Sequence, residues 1–196
     1  MESLNLKKPH LIIMIGIPSS GKSFFAEHFA QTFKAPIISF NRLRQELFNN
    51  PTFSKDEDDI INRVANYMLD ESLKTKQTLI YEGLADSRSD RTAIAKKSRN
   101  LGYEPLFIWV QTDPITAKKR AIKSGPDKAA LNNEQFDTKL NQFNPPHESE
   151  KAVVISGKHT YASQLKIVLK QLITPQVITD NQKQTTPNRS NSILIR

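Results

Sequence analysis

The chain has 196 residues, enough for one domain with a substantial hydrophobic core and too few for two large domains. It contains no cysteine, so disulfide bonds and thiolate metal sites are excluded. The formal net charge of +8 favours polyanionic partners, namely nucleotides or nucleic acids.

The first predicted strand is an apolar stretch at residues 11–15, which runs directly into Gly-Ile-Pro-Ser-Ser-Gly-Lys-Ser at residues 16–23. Gly-x-x-x-x-Gly-Lys-Ser is the pattern of a phosphate-binding loop, whose backbone N–H groups face phosphate oxygens at the start of a helix. In this pattern Lys22 reaches the β- and γ-phosphates of a nucleotide, and the Ser23 hydroxyl binds Mg²⁺. The predicted nucleotide-binding residues are Gly16, Pro18, Ser19, Ser20, Gly21, Lys22 and Ser23.

Strands and helices then alternate along the chain. Further strands are predicted at residues 35–39, 78–81, 106–110 and 153–156. Helices are predicted after the loop and at residues 42–48, 54–68, 87–102, 114–125, 132–143 and 165–172. This alternation predicts an α/β fold with a parallel sheet covered by helices on both faces. Because parallel strands end at one edge, Asn41, Glu82 and Asp113 are expected near the loop.

The character of the sequence changes near residue 174. From there the chain is polar and lacks periodicity, so we predict one domain at residues 1–173 and a disordered tail at residues 174–196. The apolar run at residues 11–17 is too short to span a bilayer. We therefore expect a cytoplasmic protein without a membrane partner.

Three further stretches extend the pattern of the loop: Ser-Phe-Asn-Arg-Leu-Arg at 39–44, Tyr-Glu-Gly at 81–83 with Ser-Arg-Ser-Asp-Arg at 87–91, and Phe-Asn-Pro-Pro at 143–146 with Glu148 and Glu150. Their order and spacing resemble the small P-loop kinases grouped around the polynucleotide kinase and zeta toxin families, over residues 10–172. The resemblance implies a three-layer α/β/α P-loop nucleoside-triphosphate kinase fold with a small helical lid. It also implies ATP and Mg²⁺ as cofactors.

Several side chains receive roles from this resemblance. Lys22, Asn41, Arg44 and Arg120 would form the catalytic group, with Arg44 gripping a phosphate or the acceptor and Arg120 neutralising the γ-phosphate from the lid. Glu82, with Ser23, would hold Mg²⁺. The residues alone leave plainer interpretations open: a surface arginine for Arg44, a solvated basic helix face around Arg120, and a strand-end acid for Glu82.

Asn41 departs from the family pattern, which has at this position an Asp proposed as general base on the acceptor hydroxyl. An amide cannot accept a proton at neutral pH, although it can hydrogen-bond a hydroxyl. Asp90 is interpreted as the helix-capping partner of Ser87 rather than as a substitute base.

Two hypotheses about function follow. The first is a kinase that transfers the γ-phosphate of ATP to a hydroxyl acceptor, a polynucleotide 5′-hydroxyl or an anionic small molecule. The second is a nucleotide-binding switch or scaffold module with lost or weak transfer activity. A bare ATP hydrolase ranks last, because no water-activating carboxylate is recognisable beyond Glu82.

Overall fold

In the computed structural model, which describes residues 6–123 and 131–173, five parallel strands form one sheet in the order β2-β3-β1-β4-β5. The strands are β1 His10–Ile15, β2 Ile37–Ser39, β3 Leu79–Glu82, β4 Glu104–Gln111 and β5 Val153–Ser156. All six residues of β1 are buried, because this central strand has a neighbour on each side and helices over both faces.

Seven α-helices in the described ranges connect or follow the strands. They are α1 Lys22–Phe33, α2 Phe40–Leu47, α3 Lys55–Lys74, α4 Arg88–Asn100, α5 Pro114–Lys123, α6 Asn133–Gln142 and α7 Tyr161–Ile173, with a 3-10 turn at Glu148–Glu150. The predicted caps at Ser54 and Ser87 are confirmed, since each side chain accepts a hydrogen bond from the backbone N–H of the residue three positions later.

The core lies in two layers, one on each face of the sheet. On one face, α3 and α4 pack their apolar residues against β1 and β3. On the other face, α1 and α7 pack against β1, β4 and β5, with Phe25 and Phe29 fully buried. This arrangement confirms the predicted three-layer α/β/α architecture with a parallel sheet.

A third, smaller apolar cluster joins the phosphate loop to two later helices. Ile17 from the loop packs with Ala117 and Ala121 of α5 and with Phe136 of α6. These helices form a unit outside the main layers, where the resemblance to the small P-loop kinases implies a helical lid. The predicted end of the α5 helix at Gly125 falls in residues 124–130, outside the described residues.

The element boundaries differ from the predictions where pairing or capping decides them. The second strand begins at Ile37 rather than at residue 35, because the Ala35 N–H donates to the Ala30 carbonyl oxygen at the end of α1. It ends at Ser39 as predicted, where the Ser39 side chain caps α2. The fourth strand extends beyond residues 106–110, because it is paired along its length with β1 and near its end with β5.

Within the described ranges, no helix combines the length and the apolar character that crossing a membrane requires. The predicted tail at residues 174–196 lies outside the described residues.

Candidate functional site

The loop between β1 and α1 curls tightly under the carboxyl edge of the sheet. Gly16 has φ +148°, and a Cβ atom there would lie 2.7 Å from the carbonyl oxygen of Val110. Gly21 precedes α1 with φ +109°. A side chain is therefore excluded at the first position and strained at the second, so that the backbone can follow the curved path that phosphate binding needs.

The other predicted loop residues differ in exposure. Pro18 is half-buried, Ser19 is exposed with φ 57°, and Ser20 is fully buried. The Ser20 hydroxyl has no hydrogen-bond partner among the described residues, while its carbonyl oxygen accepts a hydrogen bond from Thr112 Oγ1 at 2.8 Å. Their roles in binding a nucleotide stay predictions.

Lys22 folds back over the loop. Its Nζ donates hydrogen bonds to the carbonyl oxygens of Gly16 at 2.7 Å and Ile17 at 3.0 Å. Loss of hydration lowers the pKa of Lys22, and the nearby carboxylates of Glu82 and Asp86 act against this shift. The ammonium thus lies at the loop with two carbonyls as its present partners, which phosphate oxygens can replace.

Glu82 is held at the end of β3 by two hydroxyls. Ser23 Oγ donates to Glu82 Oε1 at 2.5 Å, and Ser39 Oγ donates to Glu82 Oε2 at 2.8 Å. The second contact follows from strand register, because Ser39 and Glu82 are partners between β2 and β3. Hydroxyl and carboxylate oxygens are the hard ligands that Mg²⁺ prefers, so the donor set fits this ion. Magnesium binding by Ser23 and Glu82 stays a prediction.

Arg44 and Asn41 lie on α2, which starts where β2 ends. Asn41 is exposed in the first turn of the helix. Arg44 is 5% exposed, donates to Glu57 Oε2 at 2.7 Å, contacts Asp58, and stacks over the ring of Phe53. It therefore ties α2 to α3, and a phosphate contact by Arg44 would require two ion pairs to open.

Arg120 lies on the exposed side of α5 and reaches the segment after β5. Its Nη1 donates to the carbonyl oxygen of Gly157 at 3.1 Å. A Cβ at Gly157 would lie 1.9 Å from the Ser20 carbonyl oxygen and 2.3 Å from Thr112 Oγ1. Gly157 therefore packs directly on the phosphate loop and brings Arg120 to its rim.

Two of the stretches that resemble the kinase family meet in one buried ion pair. Arg91 is fully buried and donates from Nε and Nη2 to the two carboxylate oxygens of Glu150, at 2.7 and 3.0 Å. The hydrogen bonds from Arg91 are the main cause of a lowered pKa at Glu150. This pair fastens the start of α4 to the segment before β5.

Sequence reasoning missed Asp86, Lys139 and Gly157. Asp86 follows β3 by four residues, and Lys139 of α6 lies 4.0 Å from Asp58. Both carry charges that act on Lys22. No motif in the sequence marks them. Lys139 and Gly157 reach the phosphate loop region only through packing of distant elements, whereas Asp86 follows the end of β3 directly. The Asp90 prediction is confirmed, because Ser87 Oγ donates to Asp90 Oδ2 at 2.5 Å.

A parallel sheet with the phosphate loop between its central strand and α1 is the architecture of the small P-loop kinases. The family model described as AAA domain matches residues 11–146, and the chain belongs to this family. Membership of this family supports nucleotide binding and kinase-type phosphotransfer in general. The resemblance of the sequence to the small P-loop kinases is confirmed.

Individual relatives act on different acceptors, as their names state. The L-seryl-tRNA(Sec) kinase of Methanococcus maripaludis is 26% identical over 134 residues, covering 65% of this chain and 52% of the relative. The chain thus spans about half the length of that curated relative. A gluconokinase from Sinorhizobium meliloti 1021 superimposes with a TM-score of 0.61 at 18% identity, covering 84% of this chain and 91% of that chain.

The APS kinase CysC of Mycobacterium tuberculosis, solved in complex with AMPPNP and APS, superimposes with a TM-score of 0.62. The two sequences are 14% identical, and the superposition covers 85% of this chain and 99% of the APS kinase chain. At such identities the structural likeness shows the fold alone.

Proposed function

We propose that the protein binds ATP with Mg²⁺ at residues 16–23 and transfers the γ-phosphate to a hydroxyl acceptor. The observation that carries this proposal is the convergence of Lys22, Ser23 and Glu82. The Ser23 hydroxyl and the Glu82 carboxylate are 2.5 Å apart, and the Glu82 charge acts on the Lys22 ammonium. Phosphoryl transfer depends chiefly on positioning and charge neutralisation, which these groups can supply.

The acceptor that we favour is a hydroxyl carried by RNA, with a polynucleotide 5′-hydroxyl as the first candidate. The net charge of +8 supports an anionic acceptor, because basic residues attract the phosphate backbone. Similarity to an enzyme named for phosphorylating seryl-tRNA supports RNA as the carrier of the hydroxyl. A small anionic acceptor is the competing choice within the same reaction.

The remaining predicted residues have supporting roles in this proposal. Arg120, on the loop's rim through Gly157, neutralises charge on the transferring phosphoryl group. Asn41 hydrogen-bonds the acceptor hydroxyl without taking its proton. Arg44 joins α2 to α3 through its ion pairs with Glu57 and Asp58, and contact with the acceptor is its secondary role in this proposal.

The test is transfer of labelled γ-phosphate from Mg·ATP to three acceptors: a 5′-hydroxyl oligoribonucleotide, seryl-tRNA and gluconate. Labelling of one acceptor that is lost in Lys22→Ala supports the proposal. Lys166→Ala is the matched control, because it removes an exposed lysine from α7 and should keep full activity. Binding of ATP without labelling of any acceptor would contradict a kinase function for these three classes.

The alternative function, a nucleotide-binding switch, is favoured by one feature, the exposed amide of Asn41 at the position of the family's carboxylate base. Asn41→Asp separates the two functions. A kinase should transfer phosphate in both forms, and a kinase with no other base should gain activity in Asn41→Asp, by up to the ~10²–10⁴-fold that general-base catalysis supplies. A switch should bind ATP equally well in both forms and transfer nothing in either.

A further inference from the structure

The carboxylates near the phosphate loop differ in whether they have partners. Glu82 accepts hydrogen bonds from two hydroxyls. Asp90 Oδ2 accepts one from Ser87 Oγ, and the Asp90 backbone N–H donates to the same Ser87 oxygen. Asp86 is exposed, and its carboxylate takes part in no hydrogen bond within the described part of the chain. Among the described residues, Glu82 and Asp86 are the carboxylates whose charge acts on Lys22, and of these two only Asp86 accepts no hydrogen bond at its carboxylate.

The backbone at Asp86 is nevertheless fixed firmly in place. Its carbonyl oxygen accepts hydrogen bonds from the backbone N–H of Asn144 at 2.9 Å and from Arg91 Nη1 at 3.3 Å. Arg91 is itself fully buried and bound to both oxygens of Glu150. A catalytic group needs this kind of support, since small displacements of a reacting group cost large factors in rate.

The charges around Asp86 come from three helices. Partial loss of hydration raises its pKa, and Lys22 of α1 and Lys139 of α6 act against this shift. On α4, Asp90 raises the pKa further and Arg91 lowers it. Asp86 follows the carboxyl end of β3, which pairs with β1, so it lies at the sheet edge where β1 runs into the phosphate loop and where Glu82 ends β3. A carboxylate with a raised pKa is a stronger base.

We propose that Asp86 is the general base of the transfer reaction and takes the role that Asn41 cannot perform. Asp86 accepts the proton of the acceptor hydroxyl while that oxygen forms a bond to the γ-phosphorus. The bond between the γ-phosphorus and the β,γ-bridging oxygen breaks, and ADP leaves with that electron pair. This inference rests on the proposed kinase function and adds a catalytic residue to it.

The experiment compares the wild-type protein with Asp86→Asn and with Asp90→Asn as the matched control. Two rates are measured with Mg·ATP: labelling of the oligoribonucleotide, seryl-tRNA and gluconate, and release of ADP without an acceptor, where water takes the phosphoryl group. We expect Asp86→Asn to lower kcat for both by ~10²–10⁴-fold with unchanged ATP affinity. Asp86→Glu should recover part of the loss, and Asp90→Asn should keep activity near the wild-type level at neutral pH.

The pH profile gives a readout that a purely structural role would not change. Asp86 acts only when ionised, so the wild-type rate should fall as the pH drops through the pKa of this group. Asp90→Asn removes a charge that raises this pKa, and should therefore move the acid limb to lower pH. In Asp86→Asn that limb should disappear.

Loss of folding can be separated from loss of chemistry. A carboxyl whose pKa is raised by folding contributes stability below its unfolded pKa and loses it as the pH rises through the folded value. At neutral pH, Asp86→Asn should therefore leave the melting temperature unchanged or raise it.

The outcomes distinguish this inference from the proposed function. Wild-type transfer with a nearly unchanged rate in Asp86→Asn would overturn the role of Asp86 and leave the kinase proposal standing. A wild-type protein that binds ATP but neither labels an acceptor nor releases ADP would overturn both.

Discussion

At the scale of single residues, the site depends on close packing between segments that are distant in the sequence. Gly157 follows β5, yet it contacts Ser20 of the phosphate loop so closely that no side chain fits between them. The carbonyl oxygen of Gly157 also accepts a hydrogen bond from Arg120 Nη1. This one position therefore connects the loop, the end of β5 and helix α5.

We expect Gly157→Ala to weaken ATP binding by at least tenfold. The new Cβ would lie 1.9 Å from a backbone oxygen, so the phosphate loop must shift to accommodate it. Isothermal titration calorimetry with AMPPNP and Mg²⁺ measures the effect. Gly102→Ala is the control: its φ of +79° strains an alanine by roughly 1–2 kcal/mol, but the surroundings are open and the loop is remote. Equal ATP affinity in Gly157→Ala and the wild type would contradict this account.

At the scale of elements, buried ion pairs fasten the helices that border the site. Arg91 and Glu150 connect the start of α4 to the 3-10 turn, with side chains 0% and 9% exposed. Arg44 connects α2 to Glu57 and Asp58 at the start of α3. A buried pair of this kind contributes little over an apolar replacement, but removal of one partner leaves the other charge unpaired.

Arg91→Leu should lower the free energy of unfolding by about 3–5 kcal/mol, because it leaves the Glu150 carboxylate buried without its partner. Urea denaturation followed by circular dichroism gives this difference. The double variant Arg91→Leu/Glu150→Leu should recover a large part of the loss. Lys97→Ala breaks a solvent-exposed pair with Asp70 and should change stability by less than about 1 kcal/mol. A loss in Arg91→Leu as small as that of Lys97→Ala would exclude a structural role for the pair.

Glu57 gives α3 a contribution to stability that depends on pH. Burial opposes its ionisation, but hydrogen bonds from Thr52, Phe53 and Arg44 lower the pKa of Glu57 to about 2. A lowered pKa contributes stability above the unfolded value of 4.5 that is lost as the pH falls toward 2. We expect Glu57→Gln to be less stable than wild type at pH 7, with a difference that shrinks between pH 4.5 and 2. Thermal melts across this range measure it, and a constant difference would disprove the linkage.

At the scale of the whole molecule, the two core layers and the unit of α5 and α6 converge on one edge of the sheet. β1 supplies the loop, β3 supplies Glu82, and Ile17 joins the loop to α5 and α6. A ligand bound at this edge contacts several elements at once and should therefore stabilise the entire fold.

Mg·ATP at about 100 times its Kd should stabilise the protein by about 2.7 kcal/mol, if only the folded state binds it. For a chain of this length the melting temperature should rise by roughly 5–11 °C. Differential scanning fluorimetry measures the shift, and EDTA should reduce it if Ser23 and Glu82 hold Mg²⁺. Lys22→Ala should show no shift, whereas Lys166→Ala should behave as the wild type. A full shift in Lys22→Ala would contradict the predicted nucleotide site.

The sequence by itself determined the features that depend on local order. Alternating apolar segments predicted a parallel α/β sheet, Gly16 and Gly21 marked the turn into α1, and Ser54 and Ser87 marked helix starts. Each of these signals lies within a few residues of its effect, where backbone geometry and local hydrogen bonds govern the outcome.

Only the tertiary structure decided which distant side chains meet. The sequence could not show that Arg91 is paired with Glu150 or that Arg44 is turned toward α3. Nor could it show that the Asp86 carboxylate acts on Lys22 and has no hydrogen-bond partner among the described residues. From the sequence alone, an arginine is equally suited to bind a carboxylate or a phosphate, because both are anionic acceptors for its N–H groups. Burial and the positions of neighbouring elements select between these partners, and those are properties of the assembled fold.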